Sequence, residues 1–188
     1  MDNNDPCAPD AARPGSAEDE PPQPASSDAE QSGSSIDLDI NDTTGRLHAT
    51  ALSWLSEFGA LAVGRAVGGG AGAHVVALSV VDDSTMAGLH FSHSGIEGAT
   101  DVLTFDLRDD PTGALDVEIV VCLDEARRQA SDRCVERELL LYLLHGVLHC
   151  IGFDDHDPGD FDLMHAREDE ILRAIGVGSV FGDGEDDR

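Results

Sequence analysis

The stretch His145-Gly146-Val147-Leu148-His149-Cys150-Ile151-Gly152-Phe153-Asp154-Asp155-His156 brings several metal-binding groups into twelve residues. His145 and His149 stand four apart, so on a helix they share one face, one turn above the other. Gly152 can end that helix and turn the chain back. Asp155 and His156 then arrive six and seven residues after His149. This spacing suits a three-ligand metal site with a position left open for water. A lone histidine is commonly a hydrogen-bonded core residue. The pair, the turn and the groups beyond it favour the metal site. Imidazole with carboxylate suits one divalent ion, zinc first and other first-row metals as well.

The pattern departs from the zinc-peptidase sequence H-E-x-x-H, in which the glutamate is the general base. Gly146 holds that position here. It offers no carboxylate and costs helix stability, about 1 kcal/mol against alanine. A glycine inside a ligand helix implies a close neighbour at its backbone. Ordinary peptidase chemistry is therefore disfavoured. A water acidified by the metal remains available as nucleophile. The third ligand has two candidates. Strict register with the long zinc-peptidase pattern lands on Asp155, and a one-residue bulge brings in His156.

Outward from this segment, the helix reads from about 133 to 150, with Leu140, Leu144, Val147 and Leu148 on a core face. Residues 36–40 alternate apolar and acidic, the period of a half-buried strand, and 75–81 is a β-branched run. Further strands are expected over 102–105 and 117–122. Helices are expected over 47–63, 83–89, 123–130 and 162–175. Residues 90–99 read as a polar loop carrying His90 and His93, which are candidates for proton transfer. The glycine-rich 68–72 lacks the lysine and hydroxyl of a phosphate-binding loop.

The chain has 188 residues and a formal net charge of −27, with no lysine among its 11 basic residues. A surface this acidic repels nucleic acid. The best candidate for a local cationic patch is Arg127, Arg128, Arg133 and Arg137, whose alternative reading is surface pairing with nearby acids. Residues 1–35 hold eight acids and one arginine, with no aromatic residue, and read as a disordered tail. Residues 36–178 read as one domain and 179–188 as an acidic end. The start lacks the basic and apolar order of a secretory signal, and no run approaches the ~20 apolar residues of a membrane span. A cytoplasmic protein is the default expectation. The four cysteines form no C-x-x-C pair, and Cys150 points off the His145/His149 face.

Several segments together resemble the YbeY family of metal-dependent endoribonucleases. His145-Gly-Val-Leu-His149-Cys-Ile-Gly-Phe-Asp is similar to its H-G-x-L-H-L-x-G-Y-D, and Thr100-Asp101-Val102-Leu103-Thr104-Phe105 to its T-D-V-L-S-F. Val81-Asp82-Asp83 with Leu89-His90, the strand Ile119–Cys122, Arg137-Glu138-Leu139, and Met164 with Arg167-Glu168 also resemble family segments. The resemblance implies an α/β (α+β) fold, a small mixed sheet packed against helices, with a zincin-like metal site on a helix. It implies a metal between His145, His149 and a third histidine near 155–156. It further implies cleavage of single-stranded RNA, maturation of the 16S rRNA precursor at its 3′ end, ribosome quality control with the small ribosomal subunit as partner, and a cytoplasmic location. The chain departs from the family at Asp155, where a histidine is usual. It departs also at His90 for asparagine, at His93-Ser94 for a Tyr-Arg pair, and at Glu118 for aspartate. Serine cannot give phosphate the fixed fork of an arginine. Two other readings stand beside the nuclease: a metal-binding ribosome factor with weak or no cleavage, and a metallo-hydrolase of another substrate class.

Overall fold

A computed structural model describes residues 34–68, 72–130 and 134–179. The expected tail through residue 33 and the acidic end from 180 lie outside the described residues, as does Arg133. Strands β1 (Ser35–Asp42), β2 (Ala73–Val81), β3 (Val102–Asp106) and β4 (Asp116–Cys122) form one sheet in the order β1-β2-β4-β3. The first two pairings are parallel, with Ile36 opposite His74 and Val76 opposite Val117. β3 runs antiparallel to β4 at the edge, Thr104 opposite Ile119. The sheet is therefore mixed, and among the described residues five helices accompany it: α1 (Ala49–Val67), α2 (Asp83–Ser94), α3 (Leu123–Ala130), α4 (Val135–Cys150) and α5 (Pro158–Ala174).

The helix α4 sets the centre of the core. Every residue from Glu138 to Leu144 is buried, as are Gly146, Val147 and Leu148. A helix apolar nearly all round must be covered on all sides. The inward side chains of the sheet, with α1, α3 and α5, enclose it in one large cluster. The opposite sheet face has a smaller cluster, where Met86 of α2 meets Val81, Val120 and Cys122. Gly59 of α1 permits a close approach: a Cβ there would lie 2.7 Å from Leu38 Cδ2 and 3.0 Å from Leu143 Cδ2. Among the described residues no helix is long and apolar enough to cross a membrane.

One element differs from expectation in a way that matters for the site. α2 runs on to Ser94, so His90 and His93 stand on its last turns and not in a loop. Asp82 caps its start, accepting from the Thr85 amide at 2.8 Å. Gly95 stops it in the left-handed conformation, φ 73°, with its N–H bonded to Phe91 O.

Candidate metal centre

α4 carries His145 and His149 one turn apart, on the face it shares with Glu138 and Tyr142. The helix ends at Cys150, and Gly152, at φ 100°, turns the chain so that Phe153 N–H reaches Leu148 O at 3.0 Å. This turn returns Asp155 to the histidines. It is the geometry expected of a glycine at that point, since only glycine adopts such a φ without strain.

Hydrogen bonds fix which ring nitrogens face inward. His145 Nδ1 donates to Glu168 Oε1 at 2.8 Å, because a carboxylate only accepts. His149 Nδ1 donates to the Phe153 carbonyl at 3.2 Å. Both Nε2 atoms therefore present lone pairs, and they lie 3.0 Å apart with the rings at 86°. Asp155 closes the triangle, with Oδ2 3.7 Å from His145 Nε2 and Oδ1 3.9 Å from His149 Nε2. Two lone pairs and a carboxylate converge in this way only around positive charge, a proton or a metal ion. Ligands about 2.0–2.2 Å from a tetrahedral zinc stand roughly 3.3 Å from one another, so the triangle suits such an ion. Among the described residues, His145, His149 and Asp155 form one of two groups with metal-ligand spacing.

The buried base of this site is Glu168, fully enclosed in α5. Its Oε2 accepts from His165 Nδ1 at 2.6 Å, so one carboxylate holds two imidazoles. A carboxylate behind a histidine fixes the tautomer and raises the ring's basicity. The His145 pKa is raised accordingly. Burial opposes the charged ring most, but the Glu168 hydrogen bond and charge, then Asp155 and Asp101, outweigh it. Neither Glu168 nor His165 emerges as a site residue from the sequence reading. The available signal was a glutamate in the apolar stripe of α5, between Met164 and the pair Ile171 and Leu172, all buried.

His156 sits differently. Its side chain is 85% exposed and its Nδ1 contacts Asp154, while the nearest Asp155 oxygen is 3.9 Å away. The second group with ligand spacing, Asp154, Asp155 and His156, is largely exposed.

Gly146 has a clear packing reason. A Cβ on it would lie 2.6 Å from Thr104 Oγ1 and 3.2 Å from Ile119 Cδ1. α4 rests directly on β3 and β4 at this point, which leaves no room for the glutamate of a peptidase motif.

Two clefts open beside His145. One, about 680 Å³, is lined by Asp101, Tyr142, Asp155, Phe161, His165 and others. The second, about 490 Å³, lies between the β3 edge and His145, His149 and Cys150. Among the described residues no arginine lines either cleft. His90 and His93 line neither. His90 Nδ1 contacts Gly98 O at 2.9 Å, and His93 stands edge-on to Phe105 with centroids 4.9 Å apart. The turn of helix that α2 adds beyond expectation directs them to these contacts. Ser94 Oγ donates to His90 O. Two members of the arginine patch, Arg128 and Arg137, are engaged elsewhere. Arg128 pairs with Asp83 and Glu125, and Arg137 donates to Val177 O.

A family model described as Endoribonuclease YbeY matches residues 51–176. The chain belongs to the YbeY endoribonuclease family. A YbeY endoribonuclease of an Anaeromyxobacter species is 38% identical over 113 residues, 58% of this chain and 59% of that protein. One from Desulfitobacterium hafniense is 34% identical over 113 residues, 54% of this chain and 72% of that protein. Thus the chain spans under two thirds of the first relative's length. The solution structure of TM1509 from Thermotoga maritima is also similar, at 22% identity and TM-score 0.48, over 80% of this chain and 99% of that one.

Proposed function

We propose that this chain is a metal-dependent endoribonuclease that cuts single-stranded RNA, with one divalent ion, zinc first, held by His145, His149 and Asp155. The observation that carries the reading is the convergence of two Nε2 lone pairs, 3.0 Å apart, with the Asp155 carboxylate. A bound ion would supply Lewis acidity toward a phosphodiester and would lower the pKa of a coordinated water.

The chain's own groups prepare that site. Glu168 and Phe153 O keep the protons on Nδ1, so neither histidine needs to change tautomer to bind the ion. His156 stays outside the ligand set, paired with Asp154. The proton-transfer role expected of His90 and His93 draws no support from their placement outside both clefts. Single strands suit the open clefts, because unpaired bases can leave the backbone and enter a pocket. Family membership supports the finer proposal, in which the substrate is the 3′ end of the 16S rRNA precursor, the partner is the small ribosomal subunit and the location is the cytoplasm.

A second reading, a ribosome-associated metal protein with weak cleavage, is favoured by Ser94 and by the acid-lined clefts. Metal content and cleavage of single-stranded RNA, measured on one batch beside His149→Ala, separate the two. Stoichiometric metal with cleavage lost in the variant supports the nuclease. Stoichiometric metal with no cleavage at any salt concentration favours the second reading. A wild-type protein that takes up no metal defeats both.

A further inference from the structure

The 680 Å³ cleft combines features that a phosphate site would avoid. Its walls carry the carboxylates of Asp101, Glu125, Glu138, Asp155 and Glu168, and among the described residues no arginine. The carboxylates of Asp101 and Asp155 disfavour a phosphate there more than a neutral ring. An exposed aromatic stands at the cleft: Phe161 is 46% accessible and meets His165 edge to face, with centroids 4.0 Å apart. Exposed aromatics are the usual platform for an unstacked base.

Two polar groups give the cleft a hydrogen-bonding pattern. Tyr142 is only 6% exposed, and its hydroxyl is buried without a hydrogen-bond partner. A buried hydroxyl left unpaired is costly and calls for an explanation. Burial and then the charges of Glu138 and Asp101 push the phenol pKa up, so it remains a donor. Asp101 is held in place by Thr100 Oγ1 and the Val102 amide, both 2.9 Å from Oδ1. Its Oδ2 takes no hydrogen bond from the described residues. A carboxylate and a hydroxyl donor on the wall of one cleft suit an edge with adjacent N–H groups and a carbonyl. Among the common bases guanine alone presents two parallel N–H donors next to a carbonyl oxygen.

Resting on the RNA-cleaving reading, we propose that this cleft is a guanine-selective base pocket beside the metal centre. In it Phe161 stacks on the base, the free Oδ2 of Asp101 accepts from its adjacent ring and exocyclic N–H groups, and Tyr142 donates to its carbonyl. The nucleotide next to the scissile phosphate fills it, since His145 borders both the pocket and the metal triangle.

The test is cleavage of a single-stranded RNA with one randomised stretch by the zinc-loaded full chain, its products sequenced, beside Tyr142→Phe and Phe161→Ala. Tyr142→Phe removes only the unpaired hydroxyl, so folding is preserved. The expected result is guanine enrichment at one fixed position flanking the cut, reduced roughly tenfold by Tyr142→Phe, the scale of one lost hydrogen bond. Phe161→Ala weakens it as well. Uniform cut sites in the wild type, or unchanged enrichment in both variants, overturn the pocket. Guanosine binding, followed by titration calorimetry, distinguishes failure of the pocket from failure of the nuclease reading. If the wild type cuts no RNA, the nuclease reading falls. Saturable guanosine binding that Tyr142→Phe weakens still upholds the pocket, and none overturns it.

Discussion

Glu168→Gln tests the metal centre at its base. The wild-type carboxylate is 0% exposed and accepts two N–H bonds, 2.8 Å from His145 and 2.6 Å from His165. Glutamine keeps one acceptor oxygen and sets an NH₂ donor against the other N–H. If the donor faces His145, that ring must move its proton to Nε2, where it blocks the metal. If it faces His165, His145 keeps its bond but loses the charge assistance. Hydrogen bonds to charged groups contribute about 1.5–3 kcal/mol, and supporting partners of metal ligands typically govern 10–100-fold in affinity, so the expected loss in zinc affinity is about that 10–100-fold. Competition against a chelator of known affinity at pH 8 measures it. The same titration in pH carries a sign. Because the His145 pKa is raised in the folded protein, the stabilisation from its proton is complete below the ordinary 6.5 and fades as pH rises through the raised value. Zinc competes with that proton, so apparent affinity in the wild type climbs through the same window. In Glu168→Gln the window moves down. Wild-type zinc affinity in the variant, with an unmoved pH window, refutes the role assigned to Glu168.

Other perturbations have distinct outcomes. Asp155→Asn should lower zinc affinity at least about tenfold, whereas His156→Ala, at an 85% exposed side chain, should leave it within about twofold. The reverse order would make His156 the ligand. Gly146→Ala drives a Cβ to 2.6 Å from Thr104 Oγ1, and a loss of about 1–3 kcal/mol is expected in a denaturant melt. An unchanged midpoint would mean that β3 yields freely. Asp124 is held at a pKa of about 2 by the paired Arg46 guanidinium and the Asp83 amide. Its contribution is present above the ordinary carboxylate range and is lost as pH falls toward 2, so Arg46→Ala should narrow the stability advantage of pH 5 over pH 2. Identical acid profiles in wild type and variant would show the pair to be idle.

The histidine helix and the strands could be read in advance because their signals are local. His145, His149 and the Gly152 turn lie within eight residues, and 75–81 is a run of residues that favour strands. The close approach implied by Gly146 was legible too, although its partners, Thr104 and Ile119, were not. What escaped depends on distant pairs. Glu168 is 23 residues from His145, and nothing near it in sequence names its partner. Arg128 looked available for RNA until the fold set Asp83 against it across 45 residues. The end of α2 differs from the sequence expectation for another reason. Its last turns, His90 to Ser94, are polar with little apolar periodicity, and Gly95 supplies the stop that composition alone placed earlier.

α4 is both the most enclosed helix and the bearer of the two histidines. Backbone amides along it have few ways to reach solvent short of opening the whole core, so their hydrogen exchange should report global unfolding. His145 meets Glu168 only once α5 has packed against that helix. The proton placement on the first ring is thus a product of the finished tertiary fold, whereas the bare spacing of the three candidate ligands belongs to one helix and its turn.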